Sequence, residues 1–93
     1  MPQDDLETVD WFRKAADVGN ASAQDMMGIM YENGWGVPQD YVQAHMWFNL
    51  ASAQNDVAIG ADRDRDRVAD KMNPAQIKEA QALAAAWKPK TGN

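Results

Sequence analysis

Ninety-three residues make one domain, and a chain of this length buries only about 60–70% of its unfolded surface, so its core has to be well packed. A formal net charge of −5 argues against nucleic acid or an anionic membrane as partner, because both require clustered Lys and Arg, and it favours basic partners instead. The absence of cysteine removes disulfides and thiolate chemistry, and a single histidine, His45, leaves little for a metal centre or a catalytic triad; no cofactor is expected.

The chain opens MPQDDLETVD without an apolar run, which reads as neither a signal peptide nor a membrane span. Met1 as the true start implies a cytoplasmic protein, whereas a removed leader implies a periplasmic or secreted one. Asp4 is placed to cap a first helix, with Glu7 three residues on to complete a capping box. Leu6, Val9, Phe12, Ala15 and Ala16 then recur at helical spacing up to about Val18, and Gly19 supplies a left-handed stop. Asn20 caps a second helix over Ala21 to Glu32, where Ala23, Met27, Met30 and Tyr31 form the inner stripe and Gly28 permits close approach of a neighbour.

Gly34-Trp35-Gly36-Val37-Pro38-Gln39 is a turn with two glycines for unusual dihedrals and a valine able to reach the core. Asp40 caps a third helix, Gln43 is predicted to complete its capping box, and Tyr41, Ala44, Trp47, Phe48 and Ala51 make the buried face. Asn55 stands where a left-handed cap is needed. From Val57 to Met72 apolar residues thin out, and Asp62-Arg63-Asp64-Arg65-Asp66-Arg67 predicts a solvated, ion-paired helix face. Asn73-Pro74-Ala75-Gln76 starts a fifth helix with cap, first-turn proline and capping box, lined by Ile77, Ala80, Leu83, Ala84 and Trp87; Pro89 stops it before a loose tail over 90–93.

Parts of the chain return at an offset of 36 residues: Pro2-Gln3-Asp4 as Pro38-Gln39-Asp40, Trp11-Phe12 as Trp47-Phe48, Ala15 as Ala51. A period of that size marks stacked helical units. Ala21, Ala23, Gly28, Tyr31, Gly34, Gly36, Val37, Asp40, Ala44, Trp47, Phe48 and Ala51 follow a pattern that resembles the Sel-one-like repeat, a relative of the tetratricopeptide repeat, with Met27 in place of the usual leucine and Ser52 in place of the last alanine. Trp11-Phe12-Arg13-Lys14-Ala15-Ala16 is similar to the second half of the same unit, and the segment from Arg67 to Gln81 is similar to closing helices seen on many bacterial members. The resemblance implies an all-α, right-handed α/α superhelix of about five antiparallel helices. It divides the single domain, 2–89, into a half repeat over 2–19, a full repeat over 20–56 and capping helices over 57–89. It also implies a non-enzymatic scaffold, with no catalytic residues to carry over.

Several residues admit sharper readings. Asp62, Asp64 and Asp66 alternate as in a calcium loop, but the sixth residue is Arg67 instead of glycine and the twelfth is Asn73, so a helix face is preferred. His45 lies at a helix surface or a packing edge. Asp4, Asp5 and Glu7 are better explained by capping than as an acid pair. Trp11, Phe12, Trp47 and Phe48 read as core, not as an aromatic cage. Met26 and Ile29 fall off the inner stripe, either exposed on the concave side or covered by a neighbouring helix, and Trp35 is either partly exposed or folded onto Tyr41 or Pro38. Met26, Ile29 and Trp35, flanked by Asp25 and Glu32, are the candidate site for an apolar protein or peptide segment bearing basic residues. Self-assembly into a homodimer over an unpaired helix flank is the alternative.

Overall fold

The computed structural model describes residues 6–54 and 59–90, apart from the side chain of Leu6. Among them are five α-helices and no strand: α1 (Leu6–Asp17), α2 (Ala21–Asn33), α3 (Tyr41–Ser52), α4 (Ala61–Ala69) and α5 (Pro74–Ala86). The expected Asp4 cap, the Asn55 stop and residues 91–93 of the expected loose tail lie outside the described residues.

Local start and stop signals account for the helix ends. Gly19 takes φ 100°, and the bonds Gly19 N–H to Ala16 O and Asn20 N–H to Ala15 O satisfy the last carbonyls of α1 in a Schellman arrangement. The Asn20 side chain accepts from Ala23 N–H at 2.8 Å to open α2, and Gly34, at φ 71°, closes it. At α3 the Asp40 carboxylate accepts from Val42 and Gln43 N–H. The predicted capping box does not close, because Asp40's own N–H donates to the Tyr31 carbonyl at 2.9 Å and so ties the turn to the end of α2. Asn73 and Gln76 do form the reciprocal box on α5.

α3 is the hub, packing against α2, α4 and α5. Its Met46 and Trp47 enter a core with Val9, Ala16, Ala23, Met27 and Met30, while its Ala44 and Phe48 form a second core with Val68. A helix with cores on two sides buries residues between them too. His45, only 3% exposed, is therefore interior instead of at a surface or edge, and burial lowers its pKa, with Arg65 adding to the effect.

α2 meets α3 through Gly28, where the Phe48 ring occupies the space a Cβ would need. The turn repeats the device, with Gly36, at φ 77°, packed against Val9 of α1, and Val37 half-buried in the first core as expected. α5 lies on α3, its Trp87 edge-on to Trp47 at 6.2 Å. Leu83, expected inside, is exposed. Lys90 is not loose: its N–H donates to Asp17 O at 2.7 Å and its Nζ lies 3.3 Å from the Asp17 carboxylate, fastening the end of α5 to the end of α1.

The two aromatic pairs differ in environment. Trp47 is 3% exposed, whereas Trp11, at the equivalent repeat position, is 67% exposed and so is not core. Trp47 has α5 laid over it; among the described residues no helix covers the same side of α1.

Gly28→Ala forces a methyl into the Phe48 ring and is expected to cost about 1–3 kcal/mol by overpacking, read as a lower melting temperature. A variant as stable as wild type would show that α2 and α3 can separate without loss.

Candidate interaction surface

The five residues of the predicted site divide into an internal set and an open one. α2 has neighbours on three sides, α1, α3 and α4, so side chains off its inner stripe are also covered. Met26 is half-buried against the first core and Ile29 against the second. Asp25 is 8% exposed and Glu32 6%, which overturns their expected role as free flanking charges. Trp35 remains open at 39%.

Glu32 is the centre of a charge network between α2 and the capping segment. Arg67 donates through Nη2 to Glu32 Oε1 at 2.6 Å and through Nε to Oε2 at 3.0 Å, a two-pronged contact, while Lys71 Nζ reaches Oε2 at 3.2 Å. Arg67 Nη1 also donates to Asp64 at 2.7 Å. The hydrogen bond from Arg67 does most to hold the Glu32 carboxyl below its usual range, against the opposing pull of burial. Both cations also rest on aromatic rings of α3, Arg67 over Phe48 and Lys71 over Tyr41. The charge run expected to be a solvated face is thus in part a clamp. Asp25 and Glu32 sit seven apart on α2, and Asp64, Arg67 and Lys71 follow at intervals of three and four; that complementary spacing is the signal that reading each helix alone misses.

Asp25 has one carboxylate oxygen with no hydrogen-bond partner among the described residues. Burial, then the neighbouring Asp64 and Glu32, raise its pKa to about 7. Three acids facing two cations balance once Asp25 keeps its proton, which lets it lie beside Asp64 without repulsion.

Polar ties elsewhere also went unread. Gln24 is fully buried, its Nε2 donating to Ala16 O at 3.2 Å and its Oε1 accepting from Gln54, which bridges on to Gly19 O. Arg13 donates to the Tyr31 hydroxyl at 2.9 Å. Ser52, the departure from the repeat's alanine, accepts from Arg65 at 3.3 Å.

What stays open is the glycine turn. The Trp35 backbone N–H donates to Met30 O at 2.9 Å, and the positive φ of Gly34 and Gly36 on either side allows the tight turn that carries the indole. The described residues hold no grouping of three or more His, Asp or Glu placed for a metal ion, and none of their helices is long and apolar enough to cross a membrane.

Comparison with known proteins places this geometry in context. The Sel1 repeat profile matches residues 1–20 and 21–56. Chitin synthase regulator SKT5 of Malassezia restricta is 38% identical over 56 residues, 60% of this chain and 4% of that protein. Chitin synthase regulatory factor 3 of Schizosaccharomyces pombe is 41% identical over 54 residues, 58% of this chain and 6% of that protein. The crystal structure of c5321, a protective antigen of uropathogenic Escherichia coli strains with an SLR fold, superposes with a TM-score of 0.83 at 36% identity, over 90% of this chain and 18% of that one. The chain thus spans a small fraction of the length of each of these relatives.

Two predictions follow from the network's chemistry. Glu32→Ala strands Arg67 and Lys71 and is expected to lower stability by about 2 kcal/mol, less than for a fully buried pair because both cations are half-exposed; Asp10→Ala, in a solvent-exposed pair with Lys14, should leave the melting temperature unchanged. Folded Asp25 holds its proton up to about pH 7, whereas the unfolded chain releases it from 3.8 upward. That stabilisation is complete below the unfolded value and lost as pH rises through 7. Asp25→Asn stays neutral throughout, so its stability relative to wild type should rise by about 2 kcal/mol between about pH 5 and pH 8 in paired melting curves. A constant difference would mean Asp25 does not titrate in the folded chain.

Proposed function

Because this chain belongs to the Sel1 repeat family, an all-α helical repeat solenoid, we propose that it is a non-catalytic interaction module whose glycine turn, led by Trp35, binds a protein or peptide partner. The observation that carries this reading is a half-exposed tryptophan, on a turn between two glycines of positive φ, at a position the repeat pattern does not require. Tryptophan at such a site offers a large apolar area at low ordering cost, the usual composition of an interface anchor.

The names of the relatives support the same class of activity, since two are regulators of another protein, chitin synthase. The partner itself is not inferred from them. Of the five residues of the predicted site, Met26 and Ile29 serve as packing beneath the surface, and Asp25 and Glu32 hold α4 in place. The partner segment is therefore expected to be apolar or aromatic where it meets Trp35, and the basic residues once assigned to Asp25 and Glu32 are not needed for that contact.

Peptides selected from a random library against the wild-type chain provide the test. Trp35→Ala should weaken the selected binders by about tenfold or more, in the range of an interface anchor, while the melting curve stays unchanged. Binders indifferent to the substitution would move the site elsewhere.

A further inference from the structure

α1 carries the same Trp-Phe pair that α3 buries, but among the described residues no helix lies over its tryptophan. Trp11 and Phe12 stand edge to face, ring centroids 5.4 Å apart and planes 88° apart. Phe12 is half-buried against the first core, which fixes one wall, while Trp11 projects into solvent as the other. Glu7 and Thr8, one turn earlier on the same helix, complete a depression of about 500 Å³ with these two rings.

We propose that the corner formed by Glu7, Thr8, Trp11 and Phe12 binds an arginine side chain of a partner peptide. The exposed Trp11 ring offers a negative π face to a cation, and Glu7, four residues earlier on the same helix, supplies a carboxylate beside it. Arg13 of α1 itself is engaged elsewhere, donating to the Tyr31 hydroxyl. Arginine fits better than lysine because a planar guanidinium stacks on an indole and presents a fork that matches a carboxylate in two bonds. The net charge of −5 favours the approach of such a peptide. The site is separate from Trp35, so each stands or falls alone.

The chain is titrated with Ac-Gly-Arg-Gly-NH2, with Ac-Gly-Lys-Gly-NH2 and with the uncharged Ac-Gly-Gln-Gly-NH2, following the four indole N–H resonances by NMR, the Trp11 signal being assigned from Trp11→Phe. The expected result is a saturable shift of the Trp11 signal with the arginine peptide at roughly millimolar concentration, weaker with lysine and absent with glutamine. Glu7→Gln should weaken the arginine response by about threefold or more without altering the melting curve. No saturable shift, or an equal shift with the glutamine peptide, would overturn the proposal. So would light scattering that shows a stable dimer dissolved by Trp11→Ala, because the occupant would then be a second copy of the chain.

Discussion

The contact between Gly28 of α2 and the Phe48 ring of α3 sets the spacing on which the remaining packing depends. With no side chain at Gly28, the two helices approach until the ring lies against backbone, and Phe48 becomes fully buried. That places Ala44 and Phe48 on one side of α3 and Met46 and Trp47 on the other, each filling a different core. The first core recruits α1 and the end of α5, the second recruits α4. A central helix used on both sides is how a chain of this length buries enough apolar surface to hold five helices together.

Helix α4 buries little apolar area, and a charge network fixes its register. Of its nine residues only Ala61 and Val68 are buried, and it starts at Gly60 without a side-chain cap. Asp62 and Asp64 in its first turn favour the helix dipole, and Arg67 carries the attachment by lying over Phe48 while gripping Glu32. Buried charge of this kind contributes little net stability relative to an apolar equivalent, yet it tolerates only one register, since a shift along α4 would strand Glu32. The network thereby specifies where the cap sits.

Among the described residues the inner helix α2 is covered on three sides, by α1, α3 and α4. In a longer array the faces of successive inner helices line a concave surface, but here α4 and α1 lie against α2, and Lys90 draws the end of α5 onto α1. The structure extends over 33 × 29 × 24 Å. The large apolar side chains left exposed include Trp35 of the glycine turn and Trp11 of α1.

The starts of α2, α3 and α5, the glycine stops of α1 and α2 and the repeat they build were legible in the order of residues, because caps, glycine stops and a 36-residue recurrence act within one or two turns of chain or between equivalent positions; the start of α4 at Gly60, which has no side-chain cap, was not. The glycine turn was legible for the same reason, whereas the sequence left open whether Trp35 is exposed or folded onto Tyr41 or Pro38. Burial of Asp25, Glu32 and His45, and exposure of Trp11 despite its match to Trp47, were not. Those depend on which neighbour lies across each helix face: α4 over Asp25 and Glu32, a two-sided core around His45, and no described helix over Trp11. A helical pattern shows which residues share a face, and only the assembled helices decide whether that face meets another helix or water.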